Sequence, residues 1–254
     1  MKPLPKIMIA PNGARRTKAD HQALPVTIQE IVDTAKACFA AGADGLHAHV
    51  RDAEQKHVLD AGLYRELIAE LEIAVPQMDV QITTEAIGMY SPAQQRELVR
   101  AVMPKLVSVS LAEMTSDNDP NAASEFYHWA AEKGIAVQHI LYSTEEFEML
   151  AKHVRQKTIP SSHLQIIIVL GKYNKNQESQ TSELIPFLKL LETAGQQIDW
   201  MVCAFGRSET ECLTFAAEAG GKVRIGFENN FWNSNGVIAK NNAERVMDFF
   251  NTIK

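Results

Sequence analysis

Short apolar runs alternate with longer amphipathic stretches from one end of the chain to the other. The runs KIMIAP, GLHAHV, DVQITT, LVSVSL, AVQHIL, LQIIIVL, WMVCAF and VRIGFE are bounded by turn residues. Most are apolar on both faces, as strands buried in a parallel sheet are. The stretches between them carry helical periodicity. In TIQEIVDTAKACFAAG, Thr27 is the expected N-cap, Glu30 completes a capping box and Gly42 is the expected stop. SPAQQRELVRAVM repeats the logic, with Ser91 as cap and Pro92 at the first helical position. The last helix is expected in VIAKNNAERVMDFFNTI. Eight strands, each followed by a helix, in 254 residues predict a (β/α)8 TIM barrel, a single domain over residues 1–254. A doubly wound sheet also alternates but seldom needs eight units.

Chemistry in such barrels sits at the C-terminal strand ends and in the loops after them. Those ends carry Asn12-Gly13-Ala14-Arg15, His47 and His49, Thr83-Thr84-Glu85, Ser108 and Ser110, and His139. Gly171-Lys172-Tyr173, Gly206-Arg207 and Arg224 with Glu228-Asn229-Asn230 complete the rim. The opposite ends read as plain connections.

Composition narrows the partners. A net charge of −6 and the absence of a long Lys/Arg run exclude nucleic acid, whose affinity rests on phosphate neutralisation. Three cysteines without CxxC spacing are neither a disulfide framework nor a cysteine-rich zinc site. The opening MKPLPKIMIAPNG lacks the apolar core of a signal peptide, and no run approaches the roughly 18 apolar residues of a membrane span. A cytoplasmic setting with no membrane partner is expected.

Within that rim, GLHAHVRD stands out, because two histidines occupy a strand that would ordinarily hold Val or Ile. Residues two apart share a face, so His47 and His49 can converge on one cation. The natural third donor is Glu228 in GFENN, at the same mouth. Two His and a carboxylate suit zinc, and also Fe(II), Mn(II) or Co(II). No P-loop, GxSxG elbow or GxGxxG fingerprint competes. Cys203 falls in a core strand, and His21, His57, His128, His153 and His163 are scattered as surface or capping residues.

The segments NGARRTKAD, LPVT, AGADGLHAHVRD, VQITT, IVLG, FGR and VRIGFENN, followed by GVIAKNNAERV, resemble in order and spacing the β-keto acid cleavage enzyme family. The resemblance implies a homo-oligomeric TIM barrel holding a divalent zinc ion on His47, His49 and Glu228. The implied reaction takes a β-keto acid and acetyl-CoA to acetoacetate and a new acyl-CoA. Thr83 and Ser108 match polar substrate-contacting positions, and Arg224 matches an arginine that works with an acidic partner in proton abstraction. Ser110, His139 and Arg207 on the rim complete the expected substrate contacts.

Several positions depart from the family's type member. Asn229 replaces an aspartate and cannot act as a general base near neutral pH. Ser143 replaces an acid that recognises a cationic amine, and Arg15 replaces a glutamate, which favours a neutral or anionic substrate. Glu85 stands where glycine is usual and becomes the candidate base, with His139 in reserve. Two other functions fit the same rim: a metal-dependent aldolase or lyase using an enolate without CoA, and a non-catalytic small-molecule-binding barrel.

Overall fold

The apolar runs become parallel strands that hydrogen-bond in chain order and close into a barrel. The structure, a computed structural model, describes residues 2–172, 174–195 and 197–253, with Lys175 described by its backbone alone. The strands are β1 (Ile7–Ile9), β2 (Gly45–Ala48), β3 (Asp79–Thr83), β4 (Leu106–Ser110), β5 (Ala136–Leu141), β6 (Gln165–Leu170), β7 (Asp199–Ala204) and β8 (Lys222–Ile225). Pairing of Met8 with Arg224 and of Ile9 with Ile225 closes β1 onto β8. Around the barrel run α1 (Ile28–Ala40), α2 (Ala61–Ala74), α3 (Pro92–Val102), α4 (Leu111–Met114), α5 (Pro120–Glu132), α6 (Thr144–Arg155), α7 (Ile185–Thr193), α8 (Glu209–Glu218) and α9 (Asn242–Thr252). No described helix is long and apolar enough to cross a membrane.

The pleat divides each strand between two cores. In β6, Ile166 and Ile168 face the helices, while Ile167 and Val169 face the interior with Met8, Leu106, Ile140, Met201 and Cys203. The same alternation turns Leu46 and Ala48 outward and leaves His47 inside. Register then sets His47 beside Gln81 and Thr83 beside Ser108.

Local chemistry sets the helix starts. Thr27 accepts from the Glu30 amide while the Glu30 carboxylate accepts from the Thr27 amide. Ser91 with Gln94 forms the second capping box, with Pro92 behind it. The last helix begins later than its pattern suggested. Ile238 forms an antiparallel bridge with Trp232, and Asn241 caps α9 by accepting from the Glu244 amide. The side-chain cap therefore starts the helix at Asn242 rather than Val237.

Candidate active site

β2 ends at Ala48, so His47 is its last inward side chain and His49 is the first inward residue beyond it. Their Nε2 atoms lie 3.1 Å apart. Each is 3.7 Å from Oε2 of Glu228, which comes from the turn after β8. Two donors about 2.0–2.1 Å from one tetrahedral ion sit about 3.4 Å apart, so this triangle has the size of a metal site. Gly13 lets the carboxylate sit there. It has φ 63°, and a Cβ on it would meet Glu228 Cγ at 2.6 Å.

The electronic state of the donors agrees. Burial pushes the His47 imidazole down to about 4, and the Arg224 charge adds to the effect. Burial, then the neighbouring His47, holds His49 well below its ordinary value. Both rings are therefore neutral near pH 7. Burial would raise the Glu228 carboxyl, but the cations Arg224, Lys172 and Arg16 hold it below the usual carboxylate range. Two neutral imidazoles and an ionised carboxylate are the protonation states metal binding requires. Glu228 Oε2 is buried with no hydrogen-bond partner among the described residues, and three such acceptors facing one another repel unless a cation sits between them. The residues fit a divalent metal, and His47, His49 and Glu228 could hold it.

Several supporting residues were invisible in the sequence pattern. His47 Nδ1–H donates to Gln81 Oε1 (2.8 Å), and Gln81 Nε2 donates to Gln138 Oε1 (2.9 Å) inside the barrel. That chain leaves the His47 Nε2 lone pair for the metal. Arg51 donates to the carbonyls of Gly13, Ala14 and Arg16 and so pins the loop that packs against Glu228. His57 is buried beside His49 instead of lying on the surface.

His47, His49, Thr83, Glu85, Ser110, Arg224 and Glu228 line one inner chamber, with Glu113, Tyr142, Lys172 and Phe205. It opens into a mouth of about 520 Å³ bordered by Arg15, Arg16 and Glu146. Thr83 Oγ1 accepts from the Glu85 amide. The Glu85 carboxylate lies 3.6 Å from Lys172 Nζ and 3.9 Å from His49 Nδ1. Arg224 Nη2 is 3.6 Å from Glu228 Oε1, and its Nε and Nη1 are buried without a partner among the described residues. Ser108 is buried, its hydroxyl also without a partner among the described residues. Tyr173 lies outside the described residues.

Four expected site residues are placed elsewhere. His139 faces the helices and stacks on Tyr127 at 5.3 Å, because Ile140 takes the inward position of β5. Ser143 is the N-cap of α6, its hydroxyl engaged by the Glu146 amide. Arg207 is exposed and stacks 4.6 Å over Trp232. Asn229 turns from the chamber and donates to Glu209 Oε1 (3.2 Å) and to the Arg224 carbonyl. Glu209 is fully buried and paired with Arg245. An aspartate at position 229 would set a second carboxylate against it, which accounts for the amide.

The fold and the donor triangle define a barrel whose mouth carries a candidate metal site. Residues 6–254 match the beta-keto acid cleavage enzyme family, and the chain belongs to it. Among its relatives is the 3-keto-5-aminohexanoate cleavage enzyme of Fusobacterium nucleatum. It is 25% identical over 241 residues, covering 92% of this chain and 85% of the relative. The 3-oxoadipate:acetyl-CoA acetyltransferase of Cupriavidus necator is 23% identical over 250 residues, covering 94% and 85%. Among solved structures, ObcA in binary complex with oxaloacetate superposes with a TM-score of 0.71 at 14% identity, a likeness of fold. That match covers 91% of this chain, which spans 63% of ObcA.

Proposed function

We propose that the enzyme converts a β-keto acid and acetyl-CoA into acetoacetate and a new acyl-CoA, using one zinc ion per chain held by His47, His49 and Glu228. The observation that carries this reading is the triangle of unprotonated donors at the mouth of a barrel of this family. A divalent ion held by His47, His49 and Glu228 would supply a Lewis acid that makes the carbon between the two carbonyl groups more acidic. Glu85 accepts the proton from that carbon, and Thr83 fixes the backbone that carries Glu85. Arg224 Nε and Nη1, which have no partner among the described residues, serve substrate oxygens, and the hydroxyls of Thr83 and Ser110 supply further polar contacts. The carbanion attacks the thioester carbonyl and expels CoA thiolate. The thiolate adds to the original ketone, and the bond to the acetoacetate unit breaks with its electron pair left on that carbon. The carbon takes back the proton held by Glu85 to give acetoacetate and the new acyl-CoA.

A neutral or anionic acyl tail suits this mouth better than an ammonium. Arg15 stands on its rim. The Lys172 ammonium already occupies the space between the Tyr142 and Phe205 rings, 5.4 and 5.6 Å from their centroids. Glu113 and Glu146 also border the mouth, but each braces backbone, accepting from the amides of Ala86 and Tyr142 respectively. Zinc-loaded protein incubated with acetyl-CoA and a panel of β-keto acids tests the reading. Equimolar acetoacetate and acyl-CoA are expected, fastest with neutral or anionic tails. Consumption of the keto acid with acetyl-CoA untouched would instead assign an aldolase or lyase. The reading includes a homo-oligomer, supported by exposed Phe39 on α1 and exposed Met247 and Phe250 on the adjoining α9.

A further inference from the structure

His57 lies eight residues beyond His49, on a segment that folds back and bridges to Arg51. It is 3% exposed. Its Nε2 sits 2.9 Å from the carbonyl oxygen of Glu85. A carbonyl only accepts, so the single proton of this neutral ring is on Nε2 and Nδ1 carries a lone pair. That Nδ1 is 3.4 Å from Nδ1 of His49. Two lone pairs cannot face each other there, so His49 carries its proton on Nδ1 and donates it to His57. The competing acceptor, Glu85 Oε2, is 3.9 Å away, beyond hydrogen-bond range. His49 Nε2 is thereby bare, 3.1 Å from the bare Nε2 of His47.

We infer that His57 is a positioning residue which fixes His49 in the tautomer that presents Nε2 to the metal and ties that ligand to the backbone of Glu85. The arrangement complements the Gln81–Gln138 chain behind His47, so each imidazole ligand has its own proton acceptor. The link to Glu85 adds a consequence. The carbonyl that receives the His57 proton belongs to the residue whose amide is held by Thr83. The metal ligand and the segment carrying the candidate base therefore share one hydrogen-bonded chain. Both the effect on metal affinity and the tautomer assignment rest on the metal reading above, because the bare Nε2 atoms of His47 and His49 can face each other at 3.1 Å only with a cation between them.

The test uses the full chain freed of metal, with His57→Leu and His57→Gln. Leucine removes both hydrogen bonds, whereas glutamine keeps an acceptor and an N–H donor. Zinc titration against a chromophoric chelator should show His57→Leu weakened by roughly 10–100-fold, the usual cost of losing such an outer partner, and His57→Gln restoring most of it. Nitrogen-15 imidazole spectra of the zinc-titrated wild type should show His49 protonated on Nδ1, with a mixture of tautomers in His57→Leu. Wild-type zinc affinity in a folded His57→Leu, or protonation of wild-type His49 on Nε2, would overturn the assignment. If the wild type binds no zinc, the metal reading fails and the tautomer assignment falls with it, whereas zinc binding that His57→Leu leaves unweakened overturns the role of His57 alone. If His57→Leu does not fold, His57→Gln and the wild-type spectrum decide it.

Discussion

His47 and His49 are useful to this molecule because burial keeps them neutral and their neighbours hold their protons on Nδ1. Replacing His47 by alanine removes one donor from the triangle and leaves the outward-facing Leu46 and Ala48 in place. Metal analysis of His47→Ala should show loss of the ion, with circular dichroism unchanged. Full occupancy in that variant would refute the ligand set. Glu85 is tested separately. It meets Lys172 and His49 at the chamber wall but is not one of the three converging donors. Glu85→Gln keeps the shape and removes the base, so turnover should fall by roughly 10²–10⁴-fold while metal content persists. Near-normal turnover would move proton abstraction to another group. His139 is not that group, since its ring faces the helical layer.

At the scale of elements, the turn that delivers Glu228 depends on a buried charge network between helices. Glu209 at the start of α8 accepts from the Gly226 amide and from Asn229, and pairs with Arg245 of α9 at 2.8 Å. Arg245 also donates to Thr210, Asn233 and Asp248. Burial raises the Glu209 carboxyl, and Arg245 opposes that rise. Arg245→Leu would strand a carboxylate in a closed interior, which costs about 3–5 kcal/mol. Urea unfolding should register a loss of that order. A loss below about 1 kcal/mol would mean that the network is replaceable.

For the whole molecule, buried histidines shape the response to acid. Burial pushes His139 down to about 3, with the neighbouring His153 adding to it, against about 6.5 in the unfolded chain. Between those values the unfolded chain binds the extra proton, so this contribution is complete above pH 6.5 and is lost as pH falls toward 3. The raised carboxyls Glu113, Glu146 and Glu209 act in the opposite sense, losing their contribution as pH rises. Comparing variants isolates the histidine. His139→Phe should flatten the acid side of the curve of urea midpoint against pH, without loss of stability at pH 7. An unchanged acid slope would show that His139 does not drive it. Sedimentation equilibrium should find more than one chain per particle if the apolar residues of α1 and α9 meet a second copy. A single-chain mass across the concentration range would remove that part of the proposal.

The architecture was legible because its signal is local. Runs such as LQIIIVL, separated by capped amphipathic helices, already specify a barrel, and the strand ends mark its mouth. His47 and His49 were legible for a related reason, since imidazoles two residues apart share a face in any strand. Glu228 needed only a place on the same rim. What the tertiary structure alone decided is which face of a strand turns inward and which distant groups meet. A strand buried on both sides shows no polar–apolar alternation, so nothing in AVQHIL announces that Gln138 and Ile140 face the interior while His139 faces Tyr127. The contacts of His49 with His57, Asn229 with Glu209 and Lys172 with Glu85 span 8 to 87 residues. They arise from loops folding back and from barrel closure, which no periodicity within one element can express.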